Sequence, residues 1–221
     1  MNWDMSANAK MAQYLDLLLR HNEVCNLTAT TDRQEASVRH IEDALALLSL
    51  CDFAGKSVID VGSGGGLPGI PLRIAVPSLR LTLLDATQKK VDFLSQACQT
   101  LGLSDVRCLA ARAEEIAQTS AYREQFDIAV ARGVAYLPVL CELCLPFVKP
   151  GGVLLAMKQD DCADEAARAQ NAARILGADA VEIVRYTLSS GQTHAVAHIQ
   201  KTNRTPTGYP RRYTKIKANP L

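Results

Sequence analysis

The sequence predicts an α/β fold: a seven-stranded, mostly parallel sheet with helices on both faces, a closing antiparallel hairpin and a small N-terminal helical addition. Three observations carry this expectation. From residue 56 onward, short apolar strands alternate with amphipathic helical patterns, which marks a parallel sheet covered on both faces. A dense glycine cluster, within VIDVGSGGGLPGI at 58–70, follows the first strand and precedes a helical pattern. The last two strand-like segments follow one another with no helix between them, so they pair antiparallel.

Residues 6–20 place Met11, Tyr14, Leu15, Leu18 and Leu19 on one helical stripe. NLTATTD at 26–32 is a turn-rich break, with Thr31 or Asp32 placed to cap a second helix over 33–50. That helix buries Ile41, Ala44, Leu45 and Leu48. KSVIDVG (56–62) is the first strand, and LPGIPLRIAV (67–76) opens the helix after it. LRLTLLD (79–85) is a strand ending in an acid; TQKKVDFLSQACQTLG (87–102) is a helix stopped by glycine. DVRCLAA (105–111) and FDIAVARG (126–133) are strands, 136–147 is helical, and GGVLLAMKQ (151–159) is the fifth strand. A helix over 160–176 ends at Gly177, before the alternating pair AVEIVRYTL (180–188) and THAVAHIQK (193–201). The boundaries fall at 1–52 for the helical addition, 53–201 for the sheet domain and 202–221 for a basic tail, all within one domain.

At 221 residues, 48% hydrophobic and 21% charged, the chain has the composition of a soluble domain with one sizeable core. No apolar run approaches the ~18 residues of a membrane span, and MNWDMSANAK lacks the basic-then-apolar order of a secretory signal. Seven scattered cysteines suit a reducing cytoplasm better than a disulfide framework. Net charge is +1, but six basic residues and no acidic one lie between Lys201 and Leu221. The remaining body carries 18 basic and 23 acidic side chains, so an acidic partner at one edge is expected unless the tail is merely solvated.

A strand, a glycine turn and a helix together make a cradle of backbone N–H groups for a nucleotide-like ligand. G-x-G-x-x-G occurs once, at Gly64–Gly69, and alone is weak evidence for NAD. Asp85, at the end of the second strand, suits ribose hydroxyls in either NAD or S-adenosylmethionine. Asp60 separates the two. It can organise the loop or attract a cationic ligand, and it is an awkward neighbour for a pyrophosphate. Too few residues also remain for a dehydrogenase's substrate domain. D-V-G-S-G-G-G (60–66) followed by Asp85 resembles the first two motifs of class I S-adenosylmethionine-dependent methyltransferases, which place Asp60, Gly62, Gly64 and Gly66 at the cofactor. That fold also ends in an antiparallel hairpin.

Further stretches narrow the resemblance. NLTATTD…VRHIEDALAL (26–47), DVGSGGGLPGIPL (60–72), LLDATQKKVDFL (83–94), RAEE (112–115), VARGVAYL (130–137), LAMKQ (155–159) and YPRRYTKIKANPL (209–221) occur in this order. Together they resemble the bacterial 16S ribosomal RNA guanine-N7 methyltransferases once named glucose-inhibited division protein B. The resemblance spans nearly the whole chain. It implies methyl transfer from S-adenosylmethionine to N7 of one guanine near the decoding site, in the small ribosomal subunit or an assembly intermediate; nothing in the sequence requires more than a cytoplasmic monomer. It further implies that Gly62 and Leu67 line the methionine side, Asp85 holds the ribose, Ala113 and Glu114 meet the adenine, and Arg132 sits at the cofactor–substrate junction. Ala-Arg-Gly (131–133) departs from the more frequent Ala after the arginine, and Met-Lys-Gln (157–159) from the common Leu-Lys-Gly.

Guanine N7 has a free lone pair and no proton, so its methylation needs placement about 3–3.5 Å from the methyl group and no catalytic base. The chain lacks an Asn-Pro-Pro-Tyr-like segment after the fourth strand, as amine methylation would require, and lacks the Pro-Cys of cytosine-C5 chemistry. Lys158 is a candidate donor to guanine O6 or a phosphate, or else an exposed strand-end lysine. Arg132 has a structural alternative, pairing with Asp60 or Glu114. His40 and Asp43, three apart, share a helix face and either support the active-site mouth, bind RNA or form a local hydrogen bond. Cys141 and Cys144 have zinc-like spacing but lie in an apolar helix, where packing is the better reading. His194 and His198 share a strand face with no acid placed to complete a metal site, so no metal is expected. Arg211, Arg212, Lys215 and Lys217, interleaved with Tyr209 and Tyr213, suit RNA phosphates and bases. A class I methyltransferase acting on a small molecule or protein is the main alternative; an NAD-dependent reductase and a catalytically idle RNA-binding protein are weaker ones.

Overall fold

The computed structural model describes residues 5–221, without the side chains of Glu23 and Val24; the first four residues of the stretch read above for signal character lie outside it. Helix α1 (Met5–Cys25) leads into a continuous helical run: α2 (Arg33–Ala36), a π-helical turn (Ser37–Glu42), α3 (Asp43–Ala46) and a 3-10 turn (Leu47–Ser49). The domain proper follows as β1 (Ser57–Val61), α4 (Gly69–Ala75), β2 (Arg80–Asp85), α5 (Gln88–Thr100), β3 (Val106–Ala110), α6 (Ala113–Ile116) and β4 (Phe126–Arg132). It continues with α7 (Leu137–Cys144), β5 (Val148–Gln159), α8 (Ala163–Ile175), β6 (Glu182–Thr187), β7 (Thr193–Gln200) and α9 (Tyr213–Ala218).

The seven strands run in the order β3-β2-β1-β4-β5-β7-β6, with β7 antiparallel to both its neighbours. The chain winds outward from β1 to β3 and then returns to place β4 on the other side of β1. Loops leaving the carboxyl ends of β1 and β4 therefore diverge and open a crevice between them. Successive side chains of a strand face opposite sides, so β1 feeds two cores. Ile59 and Val61 join α7 and α8 on one face, while Val58 joins α1, α4 and α5 on the other.

Several details differ from expectation. Helix α1 runs to Cys25, and it buries Leu17 where Leu19 was expected, because tertiary contacts with α4 and α5 widen its apolar stripe. Asp32 caps α2, accepting the Glu35 N–H at 2.8 Å. The largest correction concerns residues 202–221, which are a packed segment and not a free tail. Lys201 is fully buried, its ammonium donating to Leu145 O, Val148 O and Thr205 Oγ1. Arg123 reaches from the sheet domain to the carbonyls of Thr205, Pro206 and Tyr209, and Ile216 of α9 is fully buried against the α7 side of the core.

Arg211 was expected at RNA phosphates. Its guanidinium instead grips Glu142 of α7, with Nη2–Oε2 at 2.7 Å and Nε–Oε1 at 2.9 Å, and Glu142 is wholly buried. Periodicity could not disclose this, since Glu142 sits in an otherwise apolar helix. Arg211→Ala is expected to lower unfolding free energy by about 3–5 kcal/mol, because a buried carboxylate loses its ion-pair partner. Urea unfolding checks it.

Candidate active site

The loop after β1 is shaped by its own hydrogen bonds. The N–H groups of Gly62 and Ser63 both donate to Leu84 O of β2, at 2.8 and 3.0 Å, and Ser63 Oγ donates to Asp60 O. Asp60 Oδ2 accepts the Gly69 N–H at 2.9 Å at the start of α4, so Asp60 does organise the loop. Tyr14 of α1 adds a clamp from outside, donating to Gly65 O at 2.7 Å. Two glycines are obligatory for protein packing as much as for any ligand. Gly62 has φ +74°, and a Cβ there would lie 2.6 Å from Val134; Gly66 has φ +92°, and a Cβ would lie 2.5 Å from Ile70. Leu67, expected beside a cofactor, is buried with Ile70, Leu83 and Leu94 in the α1 side of the core.

A first cleft opens over the carboxyl ends of β1, β2 and β3. Gly62, Asp85, Ala113, Glu114, Val134 and Tyr213 line it. Asp85 Oδ2 accepts the Gly64 N–H at 3.0 Å and Oδ1 accepts the Thr87 N–H at 2.8 Å. A carboxylate has about four acceptor positions, so both oxygens retain capacity for a pair of vicinal hydroxyls. Ala113 and Glu114 form the first turn of α6, beside Tyr213 from the C-terminal segment. The residues fit a cationic adenosine-type cofactor on a further ground. Asp60 Oδ1 is buried without any hydrogen-bond partner, so one polar atom at the loop is left for a bound group to meet.

Burial raises the Asp60 pKa to about 7, against the opposing pull of the Gly69 N–H. A folded-state pKa above the unfolded 3.8 means that the native protein holds the extra proton in between. The associated stabilisation is complete below pH ~4 and is lost as pH rises through 7. The difference in unfolding free energy between the native chain and Asp60→Asn is therefore expected to fall between pH 4 and 7. Its slope is at most about 1.4 kcal/mol per pH unit, and chemical denaturation across that range measures it.

A second cleft, of 460 Å³, lies on the other side of the β4 carboxyl end. Thr28, His40, Asp43, Arg132, Lys158 and His194 all line it. Arg132 does not pair with Asp60 or Glu114. Its Nη1 donates to Asp43 Oδ2 at 3.3 Å and to Arg39 O at 3.1 Å, and its Nη2 lies 3.3 Å from His40 Nδ1. The side chains of His40 and Asp43 thus converge on one guanidinium, and the Asp43 N–H donates locally to His40 O. The π-helical turn that carries Arg39 and His40 brings a backbone carbonyl and an imidazole to the same cation; π turns are frequent at functional sites.

Asp43 is the hub of a wider network. Its Oδ1 accepts the Tyr186 hydroxyl at 2.6 Å and lies 2.7 Å from His194 Nδ1. The acid not foreseen near His194 is therefore Asp43, 151 residues away in the chain. His198 stands apart from this group. Lys158 is not a free strand-end lysine: its ammonium lies 2.6 Å from Glu165 Oε2 and donates to Ala135 O at 2.8 Å. Cys141 and Cys144 are fully buried in α7, and burial pushes the Cys141 thiol up to about 12. Arg212, Lys215 and Lys217 are exposed, and Tyr213 between them in the chain lines the first cleft.

Thr28, Glu165 and Tyr186 are site-lining or site-supporting residues that sequence reasoning missed, while Tyr213, read beside the basic residues for RNA, lines the first cleft. None of the first three lies on a periodic stripe or in a glycine motif, so only spatial convergence identifies them. The two clefts meet at one short stretch: Arg132 and Gly133 line the second and Val134 the first. Two ligands bound in them would face each other across the β4 carboxyl end.

The family model described as GidB, rRNA small subunit methyltransferase G, matches residues 7–195. A Ribosomal RNA small subunit methyltransferase G of Alkaliphilus metalliredigens is 45% identical over 205 residues, covering 92% of this chain and 86% of the relative. One from Acetivibrio thermocellus is 40% identical over 221 residues, covering 100% and 91%. Among solved structures, a precorrin-6y C5,15-methyltransferase from Geobacter metallireducens superposes with a TM-score of 0.55 at 16% identity, over 72% of this chain and 87% of that one. That likeness is one of fold.

Proposed function

This chain belongs to the GidB family of rRNA small subunit methyltransferases G, and on that premise we propose that it methylates N7 of one guanine in 16S ribosomal RNA, near the decoding site. The observation that carries the reading is the meeting of the two clefts at Arg132–Val134. The methyl donor is S-adenosylmethionine, which when bound supplies an electrophilic methyl group on a sulfonium centre. Asp85 holds the ribose hydroxyls, and Ala113 and Glu114 stand at the adenine end. Gly62 bares backbone at the methionine end, while Asp60 holds the loop in register.

The second cleft receives the guanine. N7 needs no deprotonation, so the task of the site is alignment. Positive charge passes to the purine during transfer, and the cleft is built to tolerate it. Arg132 is neutralised by Asp43, Lys158 by Glu165, and His40 is held neutral, its pKa lowered to about 4 by burial and by Arg132. The cationic side chains that line the mouth of this cleft are thus paired before substrate arrives, and the nascent cation meets little repulsion. Arg132 keeps its Nε–H and one Nη2 proton for ligands on either side.

RNA phosphates are left to Arg212, Lys215 and Lys217, among the exposed cations of the C-terminal segment. A monomer acting in the cytoplasm on the small subunit, or on an assembly intermediate, suits this arrangement; no helix among the described residues is long and apolar enough to cross a membrane. The test is tritiated-methyl transfer from S-adenosylmethionine to unmodified small-subunit particles, followed by nucleoside analysis. Label in 7-methylguanosine is the expected result. Label in another nucleoside, or none on particles and free RNA alike, would overturn the reading.

A further inference from the structure

We propose that Thr28 is a specificity residue, whose hydroxyl proton selects guanine by donating to O6 beside the reacting N7. This rests on the guanine-N7 reading above. Thr28 lies in the loop between α1 and α2 and lines the second cleft with Arg132 and Lys158. Its Oγ1 is 2.6 Å from His40 Nε2 and accepts the Thr30 N–H at 3.1 Å.

The direction of the Thr28–His40 bond follows from the other side of the ring. His40 Nδ1 lies 3.3 Å from Arg132 Nη2, and a guanidinium can only donate. Nδ1 is assigned as the acceptor of that contact. The ring is neutral, with its pKa lowered to about 4, so its single proton sits on Nε2 and is donated to Thr28. A hydroxyl has two acceptor lone pairs and one proton. Both lone pairs of Thr28 are occupied, by His40 and by Thr30, and its proton has no acceptor among the described residues. The open side of the residue is the cleft.

Guanine presents N7 and O6 as adjacent acceptors on one edge; adenine presents N7 beside a donating amino group. An enzyme that reaches N7 necessarily stands next to position 6. A fixed O–H there completes a hydrogen bond with guanine and sets donor against donor with adenine. Lys158 gives two of its three ammonium protons to Glu165 and Ala135, so one is left for O6 or a phosphate. The Arg132–His40–Thr28 relay also orients the hydroxyl, since each member fixes the proton position of the next.

The experiment compares particles whose target position, first mapped on native-sequence RNA, carries guanine or 2,6-diaminopurine. Diaminopurine keeps N7 and the 2-amino group but replaces O6 with an amino group. The native chain is expected to prefer guanine by about 10³-fold or more in kcat/KM. Thr28→Val is expected to lose about 10- to 100-fold on guanine and to flatten that preference to about 10-fold. S-adenosylhomocysteine affinity should stay unchanged, and Thr28→Ser should restore the preference. Thermal melts check that Thr28→Val folds; Thr28→Ala serves the same measurement if it does not. A hydroxyl-free variant that slows on both bases but keeps the full preference would show a merely structural role and overturn the proposal. Absence of 7-methylguanosine from the native chain on guanine particles would instead overturn the functional reading beneath it.

Discussion

Arg132→Ala is expected to lower kcat/KM for rRNA methylation by about 10²- to 10³-fold, the scale of losing alignment at the reacting centre. Three acceptors fix the guanidinium: Asp43 Oδ2, Arg39 O and His40 Nδ1. Its loss removes the group between the two clefts and frees the His40 tautomer at once. Arg132→Lys should not restore activity, because a single ammonium cannot reproduce a planar fork directed at several acceptors. Asp43 keeps Tyr186 and His194, so the variant should remain folded. Steady-state kinetics with a parallel melt check both statements. A variant within tenfold of native activity would remove Arg132 from the junction.

Asp85→Ala is the counterpart on the cofactor side. Two hydrogen bonds from a ribose to a charged acceptor contribute about 1.5–3 kcal/mol each. Their loss corresponds to a fall in S-adenosylmethionine affinity of roughly 10²- to 10⁴-fold. The variant also releases the N–H groups of Gly64 and Thr87, which Asp85 holds at 3.0 and 2.8 Å. Asp85→Asn should recover only part of the loss, since its amide nitrogen offers no lone pair to replace one carboxylate oxygen. Calorimetric titration with S-adenosylhomocysteine measures this without turnover. Unchanged affinity in Asp85→Ala would exclude the first cleft as the cofactor site.

These two residues differ in how far they could be read from the chain. Asp85 ends an apolar strand one motif after a glycine loop, and both its position and its neighbours are local. Arg132 was identifiable as a strand-end cation, but its partners were not. They lie 89 and 92 residues upstream on a helical run that periodicity treats as ordinary. The same limit explains Arg211. A basic residue near the end of the chain looks solvated until Glu142, in the middle of an apolar helix, is brought beneath it.

What the sequence determined by itself was the architecture, with the glycine loop and Asp85 placed together at the first cleft. Strand and helix periods, turn glycines and strand-end acids act over a few residues, and hydrophobic burial then leaves little choice of layer order. What only the tertiary structure decided was the second cleft. There Thr28, Asp43, Tyr186, His194 and Glu165 come from separate elements and are joined by hydrogen bonds and ion pairs across the fold. Such bonds leave no periodic trace in a chain. Their energy depends on distances and desolvation that exist only once the strands have been laid side by side.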